Sequence, residues 1–226
     1  MKKNAMLKIA AILLVAVLLT TCAISSTFAK YVTEGTGDTT TANVAKWGVK
    51  ISSSLEGLFA ENYDSDTDGY DDDTVVSATS GVLVLAPGTE GSASATTTLS
   101  GKPEVAFEIT TDATVSLGGD WEDDKGAFYC PVVFTINGQK VQAAEGDDAA
   151  SFAGKIETEI EKATNKFAAG TTLANNTVPV AISWAWAIGN ASAADTQLGD
   201  IAAGIVEDKD IPSITIEFNQ TATQLD

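Results

Sequence analysis

Val180-Ala181-Ile182-Ser183-Trp184-Ala185-Trp186-Ala187-Ile188 places a large apolar side chain at every second position, with Ala or Ser between. A period of two marks a β-strand with one face in a core, because successive side chains point to opposite sides of the sheet. The run is long and its large face wholly apolar, so this strand is expected at the centre of a sheet. Trp184 and Trp186 are expected in the core rather than on a sugar-stacking platform, since indoles within an apolar face bury most of their surface.

The same alternation recurs at Trp47/Val49/Ile51, Val105/Phe107/Ile109, Val132/Phe134/Ile136 and Ile214/Ile216/Phe218. Asn137-Gly138, between strand-like runs at 132–136 and 139–142, is the dipeptide that a two-residue hairpin turn requires, both positions needing positive φ. Ala86-Pro87-Gly88-Thr89 and Ser100-Gly101-Lys102-Pro103 are further turns. One segment departs from the pattern. Over 148–169, Phe152, Ile156, Ile160, Ala163 and Phe167 recur every three or four residues, with Asp147 or Asp148 placed to cap a helix and Gly170 placed to end it. Residues 198–203 read as a short second helix. The expected fold is mainly β: a jelly-roll-like antiparallel β-sandwich with one inserted amphipathic helix, about 148–169, covering an edge or an open end.

The 226 residues carry 31 Asp+Glu against 13 Lys+Arg, every cation a lysine, for a formal charge of −18, and histidine is absent. These counts remove Ser-His-Asp and Cys-His nucleophile systems, His-ligated zinc and arginine phosphate clamps, so no enzyme activity is expected. The acidity argues against nucleic acid and anionic lipid as partners. Cations, other proteins or further copies of the chain fit it better. A content of 44% hydrophobic and 19% charged residues is that of a folded chain with a real core.

Residues 1–29 read as a secretory signal peptide: Lys2, Lys3 and Lys8 precede an apolar run at 9–19, and Thr27-Phe28-Ala29 offers small residues before a cut. The rival reading is an uncleaved anchor, for which the run is short, so no stable membrane span is expected after cleavage. Residues 30–41 then form a flexible N-terminal arm and 42–226 a single domain. Removing the signal takes three lysines and no acid, leaving 10 lysines against 31 acids, or −21. Cys22 leaves as well, so Cys130 has no internal disulfide partner. Within Phe128-Tyr129-Cys130-Pro131-Val132 it is expected to be a buried thiol acting as a small hydrophobe.

Several pieces together carry a resemblance: Ser26-Thr27-Phe28-Ala29-Lys30-Tyr31-Val32, Ala42-Asn43-Val44-Ala45-Lys46-Trp47-Gly48-Val49, the Ala86–Thr89 turn, Leu99-Ser100-Gly101-Lys102-Pro103-Glu104-Val105, Ser183-Trp184-Ala185-Trp186 and Asp195-Thr196-Gln197-Leu198-Gly199. The combination resembles secreted TasA/camelysin-like proteins of Gram-positive bacteria, exported with a SipW-type signal peptide. The resemblance implies a jelly-roll fold, localisation at the cell surface or in the biofilm matrix, and a fibre role in which one subunit's N-terminal strand completes the next subunit's sheet. Camelysins have also been described as proteases. This chain departs from that reading, having no His-Glu-x-x-His and no histidine.

Two local sites follow. In Asp64-Ser65-Asp66-Thr67-Asp68-Gly69-Tyr70-Asp71-Asp72-Asp73, Asp64, Asp66, Asp68, the Tyr70 carbonyl and Asp72 match the front half of a calcium loop, glycine permitting the bend. Val75 stands where an EF-hand needs glutamate, so the alternatives are a weak calcium site and a solvated acidic turn. No other cofactor is expected. In the arm, Lys30, Tyr31, Val32 and Thr33 are the candidate assembly residues, as a strand added to a neighbour's sheet edge; the alternative is a disordered terminus. Trp121, in an acidic loop, is expected to be exposed, and Glu157, Glu159 and Glu161 to be solvated on the helix. The expected function is a secreted structural subunit of an extracellular fibre assembling with itself and with other matrix proteins. The alternative is a monomeric, calcium-responsive adhesin or ligand-binding module.

Overall fold

The computed structural model describes residues 43–52, 55–64, 73–95, 98–174, 176–188 and 193–226. The chain divides into two units, Met1–Lys46 and Trp47–Asp226. Of the first, the described residues 43–46 carry no regular structure. The second contains β1 (Lys50–Ser52), β2 (Asn62–Tyr63), β3 (Val75–Val76), β4 (Glu90–Ala95), β5 (Thr98–Ser100), β6 (Phe107–Gly118), β7 (Val133–Ile136) and β8 (Gln139–Val141). Helix α1 (Ala149–Glu161), β9 (Asn165–Phe167), β10 (Val180–Ala185), α2 (Ala193–Ala202) and β11 (Ser213–Gln224) follow. The strands form antiparallel sheets ordered β4-β10-β7-β8 and β11-β6-β9, with the smaller pairs β1-β5 and β2-β3. The expected class, a mainly-β antiparallel sandwich with a small helical part, is the one observed.

β10 is central, as its length and wholly apolar face predict, lying between β4 and β7. Val180, Ile182 and Trp184 are buried, while Ala181, Ser183 and Ala185 form the other face. Burying each such large side chain stabilises the fold by roughly 1.5–3 kcal/mol. Trp184 also needs a partner for its indole N–H, and donates it to Leu58 O at 2.7 Å. Gly91, opposite Trp184, leaves room for this crossing, since a Cβ there would lie 2.3 Å from Leu58 O. Phe59 and Tyr63 pack against the same indole. The β7–β8 hairpin turns at Asn137 and Gly138 with φ of 48° and 85°, the positive values their identities foretell.

Helix α1 starts at a capping box: Asp148 Oδ1 accepts from Ser151 N–H at 2.7 Å, and Ser151 Oγ accepts from Asp148 N–H at 2.8 Å. Phe152, Ile156 and Ile160 are fully buried on its inner face. The helix ends at Glu161, earlier than the expected 169. Phe167 belongs instead to β9, where it stacks on Phe107 with ring centroids 4.9 Å apart. One apolar period therefore spanned a helix and the strand after it, and Gly170 (φ 77°) turns the chain after β9. α2, by contrast, begins five residues before the expected 198.

Three other readings are corrected. The strand expected around Trp47–Ile51 shortens to β1, and Trp47 is 38% exposed. Ile188 is 76% exposed, because β10 ends at Ala185 and leaves only Trp186 on the core side. Trp121 is buried at 3% exposure, its indole N–H donating to Ser213 O at 3.3 Å. The surrounding acids hid this in the sequence; they face outward while the ring turns in.

Candidate assembly edge and adjoining groove

β6 pairs with β9 over its first three residues only. Beyond them α1 lies against its edge: Glu157 Oε1 accepts the Val115 N–H at 2.8 Å, and Thr111 Oγ1 donates to Ala163 O at 2.6 Å. Thr111 Oγ1 accepts in turn from Gln220 Nε2 at 3.1 Å, so a buried polar chain ties β11 to β6 and to the chain just past α1. Glu157 was expected merely to be solvated. Only the tertiary placement of the helix reveals that it caps a sheet edge.

β11 forms the opposite edge. Its twelve residues pair with β6 alone among the described strands. Val115 directs its N–H to Glu157, away from β11, so in the antiparallel ladder its partner Ile216 must direct its own main-chain groups to the outer edge. Ile214, Phe218 and Ala222 share that direction by the alternation of the ladder. Ile214, Ile216, Phe218 and Ala222 are all half-buried, while of their β6 partners Val115 and Ile109 are buried and Leu117 and Ala113 half-buried. The strand has no proline and no lysine, and Glu217 is its one charge. It therefore carries neither of the two residue types, lysine and proline, that most often blunt a sheet edge.

The assembly residues expected from sequence, Lys30, Tyr31, Val32 and Thr33, lie outside the described residues, as does the signal. So do Asp66, Asp68, Tyr70 and Asp72 of the calcium loop; Asp64, its first member, is exposed at the end of β2. Elsewhere the acids serve as structural staples. Asp120 accepts the Asp210 N–H at 2.7 Å and an ion pair from Lys209 at 3.4 Å, which together hold its carboxyl below the usual range. Lys209 also meets Glu122 at 2.5 Å, and this contact raises its pKa. Cys130 is buried, and burial pushes its thiol up to about 12, so at neutral pH it is held as the neutral thiol.

Beside the start of β11 a groove of about 370 Å³ lies between α2, residues 211–214 and the segment 82–87, which pairs with Ala60 through an isolated bridge at Val84. Asp195 stands in its wall, Oδ1 accepting from Tyr129 O–H at 2.8 Å and from Trp186 Nε1 at 3.2 Å. The sequence pattern does not reveal this groove, because one wall, 82–87, lies more than a hundred residues before the other two, α2 and 211–214. Among the described residues no helix is long and apolar enough to cross a membrane. No protein-family model matches the chain, and neither a characterised protein nor a solved structure is significantly similar to it.

Proposed function

We propose that this chain is a secreted structural protein, the subunit of an extracellular matrix or cell-surface fibre. The N-terminal arm of one copy, residues 30–41, pairs with the outer edge of β11 on the next. One observation carries the reading: a twelve-residue edge strand with half-buried apolar side chains and no lysine or proline, in a molecule whose other edge on the same sheet is covered by a helix. Main-chain hydrogen bonds supply affinity in strand addition, and alternate side chains complete the core. Donor arm and acceptor edge are different segments of the chain, so a contact between copies is heterologous, and one that does not close into a ring extends into a filament.

The absence of histidine supports a non-catalytic role, and the chain's acidity shapes the assembly. Subunits of like charge repel, so backbone pairing and apolar burial must outweigh a repulsion that salt screens. The test is electron microscopy of the mature protein beside a variant lacking residues 30–41, at low and high salt and with calcium. Filaments from the mature chain, favoured by salt, and folded monomers from the shortened one are expected. Filaments that persist without the arm contradict the reading.

A further inference from the structure

The groove beside α2 has a floor of buried Trp121, Trp186 and Leu198 and a rim of Val82, Leu83 and Ile211. Those three are among the eight large apolar side chains exposed in the described residues. Single exposed apolar residues are ordinary; three on the rim of one apolar groove form a patch of the kind that marks a binding surface. The volume falls in the range of roughly 300–1,000 Å³ typical of ligand sites. Among the described residues that line it, Asp195 alone is ionisable, and its carboxylate is oriented by the Tyr129 and Trp186 donors.

Two features select the ligand. Among the described lining residues the one charge is a carboxylate, which, in a chain of formal charge −18, disfavours acidic partners and favours a cation beside the apolar floor. Along one wall the Val84 N–H donates to Ala60 O at 2.9 Å, so beside this isolated bridge the main-chain groups of Leu83 and Leu85 face the other way. An extended peptide can pair with those groups and a small amine cannot. We propose that the groove binds an extended apolar peptide segment bearing a lysine or arginine. Its apolar side chains lie over Trp121, Trp186 and Leu198, and its cation lies toward Asp195. This surface is separate from the outer edge of β11 on which the fibre reading rests.

The mature protein is titrated with a blocked peptide alternating valine and lysine, its valine–glutamate counterpart, and butylamine, followed by indole fluorescence and calorimetry. Two variants occlude or spoil the groove without touching the core. Gly199→Leu fills it from α2, where an added Cβ meets nothing within 4 Å, and Leu83→Asp places a charge on the exposed rim. Saturable binding of the lysine peptide is expected, roughly tenfold or more tighter than the glutamate peptide, and weakened at least about tenfold by either variant while the melting temperature holds. Asp195→Asn should narrow the preference between the two peptides. Equal binding of both peptides, binding that survives Gly199→Leu, or butylamine binding as tightly as the peptide overturns the proposal. So does self-association that Leu83→Asp removes while no peptide binds, which would make a second copy the occupant. Ala222→Pro, on the β11 edge, should leave peptide binding unchanged, so failure of the fibre reading and failure of this one are told apart.

Discussion

Along the β6 side of the three-stranded sheet, β9 pairs with three residues and α1 covers the next stretch, with Glu157 and Ala163 answering Val115 and Thr111. Along the β11 side, twelve residues run with no strand beside them among the described residues, and the apolar side chains there are half-buried. The two edges belong to one sheet and share one ladder, so the contrast does not come from strand propensity. It comes from what the chain places outside each edge. An edge closed by a helix contributes to the stability of a single subunit, whereas a long edge without a neighbouring strand offers main-chain groups with which another strand can pair.

Mutations can break this contrast from either side. The largest effect is expected at Phe152, fully buried where α1 meets Phe134 and Phe128. Phe152→Ala should cost about 3–5 kcal/mol in urea unfolding, and so should release the covered edge at lower denaturant. Glu157→Ala leaves the Val115 N–H without its charged acceptor and should cost about 1–3 kcal/mol, Glu157→Gln less, because an amide oxygen still accepts. Ala222→Pro should behave oppositely. Its N–H faces the outer edge, so proline there keeps the β6 ladder, should cost less than about 1 kcal/mol, and should still block assembly. A fibre that forms normally with Ala222→Pro would remove β11 as the acceptor.

The smallest expected effect concerns the staple that pins the chain before β11. Asp120 is held below its ordinary 3.8, chiefly by the Asp210 N–H, so its contribution is present above that value and is lost as pH falls through its lower folded pKa. Lys209 is raised above 10.5, so its contribution is present below that value and lost as pH rises through its higher folded one. The melting temperature of the monomer should therefore fall below about pH 4, with the staple intact through neutral pH. Asp120→Asn should flatten part of that acid limb. An acid limb unchanged by Asp120→Asn would show that the staple does not contribute.

The closed edge was partly legible in the sequence. Asp148 as a helix cap and the Phe152/Ile156/Ile160 face each depend on neighbours within a few residues, as does the Asn137-Gly138 turn in the other sheet. What the helix covers does not: in sequence Glu157 is one more acid on an exposed helix face, and only the fold brings it to the Val115 N–H. The sequence period also makes the helix too long, because Phe167 continues it by coincidence while its partner, Phe107, lies 60 residues away. At the open edge, Ile214, Ile216 and Phe218 announced a strand but not its place in the sheet, since period two is the same at an edge and at a centre. Trp121 and the groove at 82–87, α2 and 211–214 depend wholly on long-range packing, and the acids around Trp121 pointed the wrong way.

Amide hydrogen exchange on monomer and fibre, resolved to single residues of β11, tests the acceptor edge most directly. Ile214, Ile216, Phe218 and Ala222 direct their N–H groups outward, so they should exchange readily in the monomer and gain protection on assembly, while the β6-paired amides of Thr215, Glu217, Asn219 and Thr221 are already protected and change little. Fibres in which the outward amides exchange as fast as in the monomer would contradict strand addition at β11.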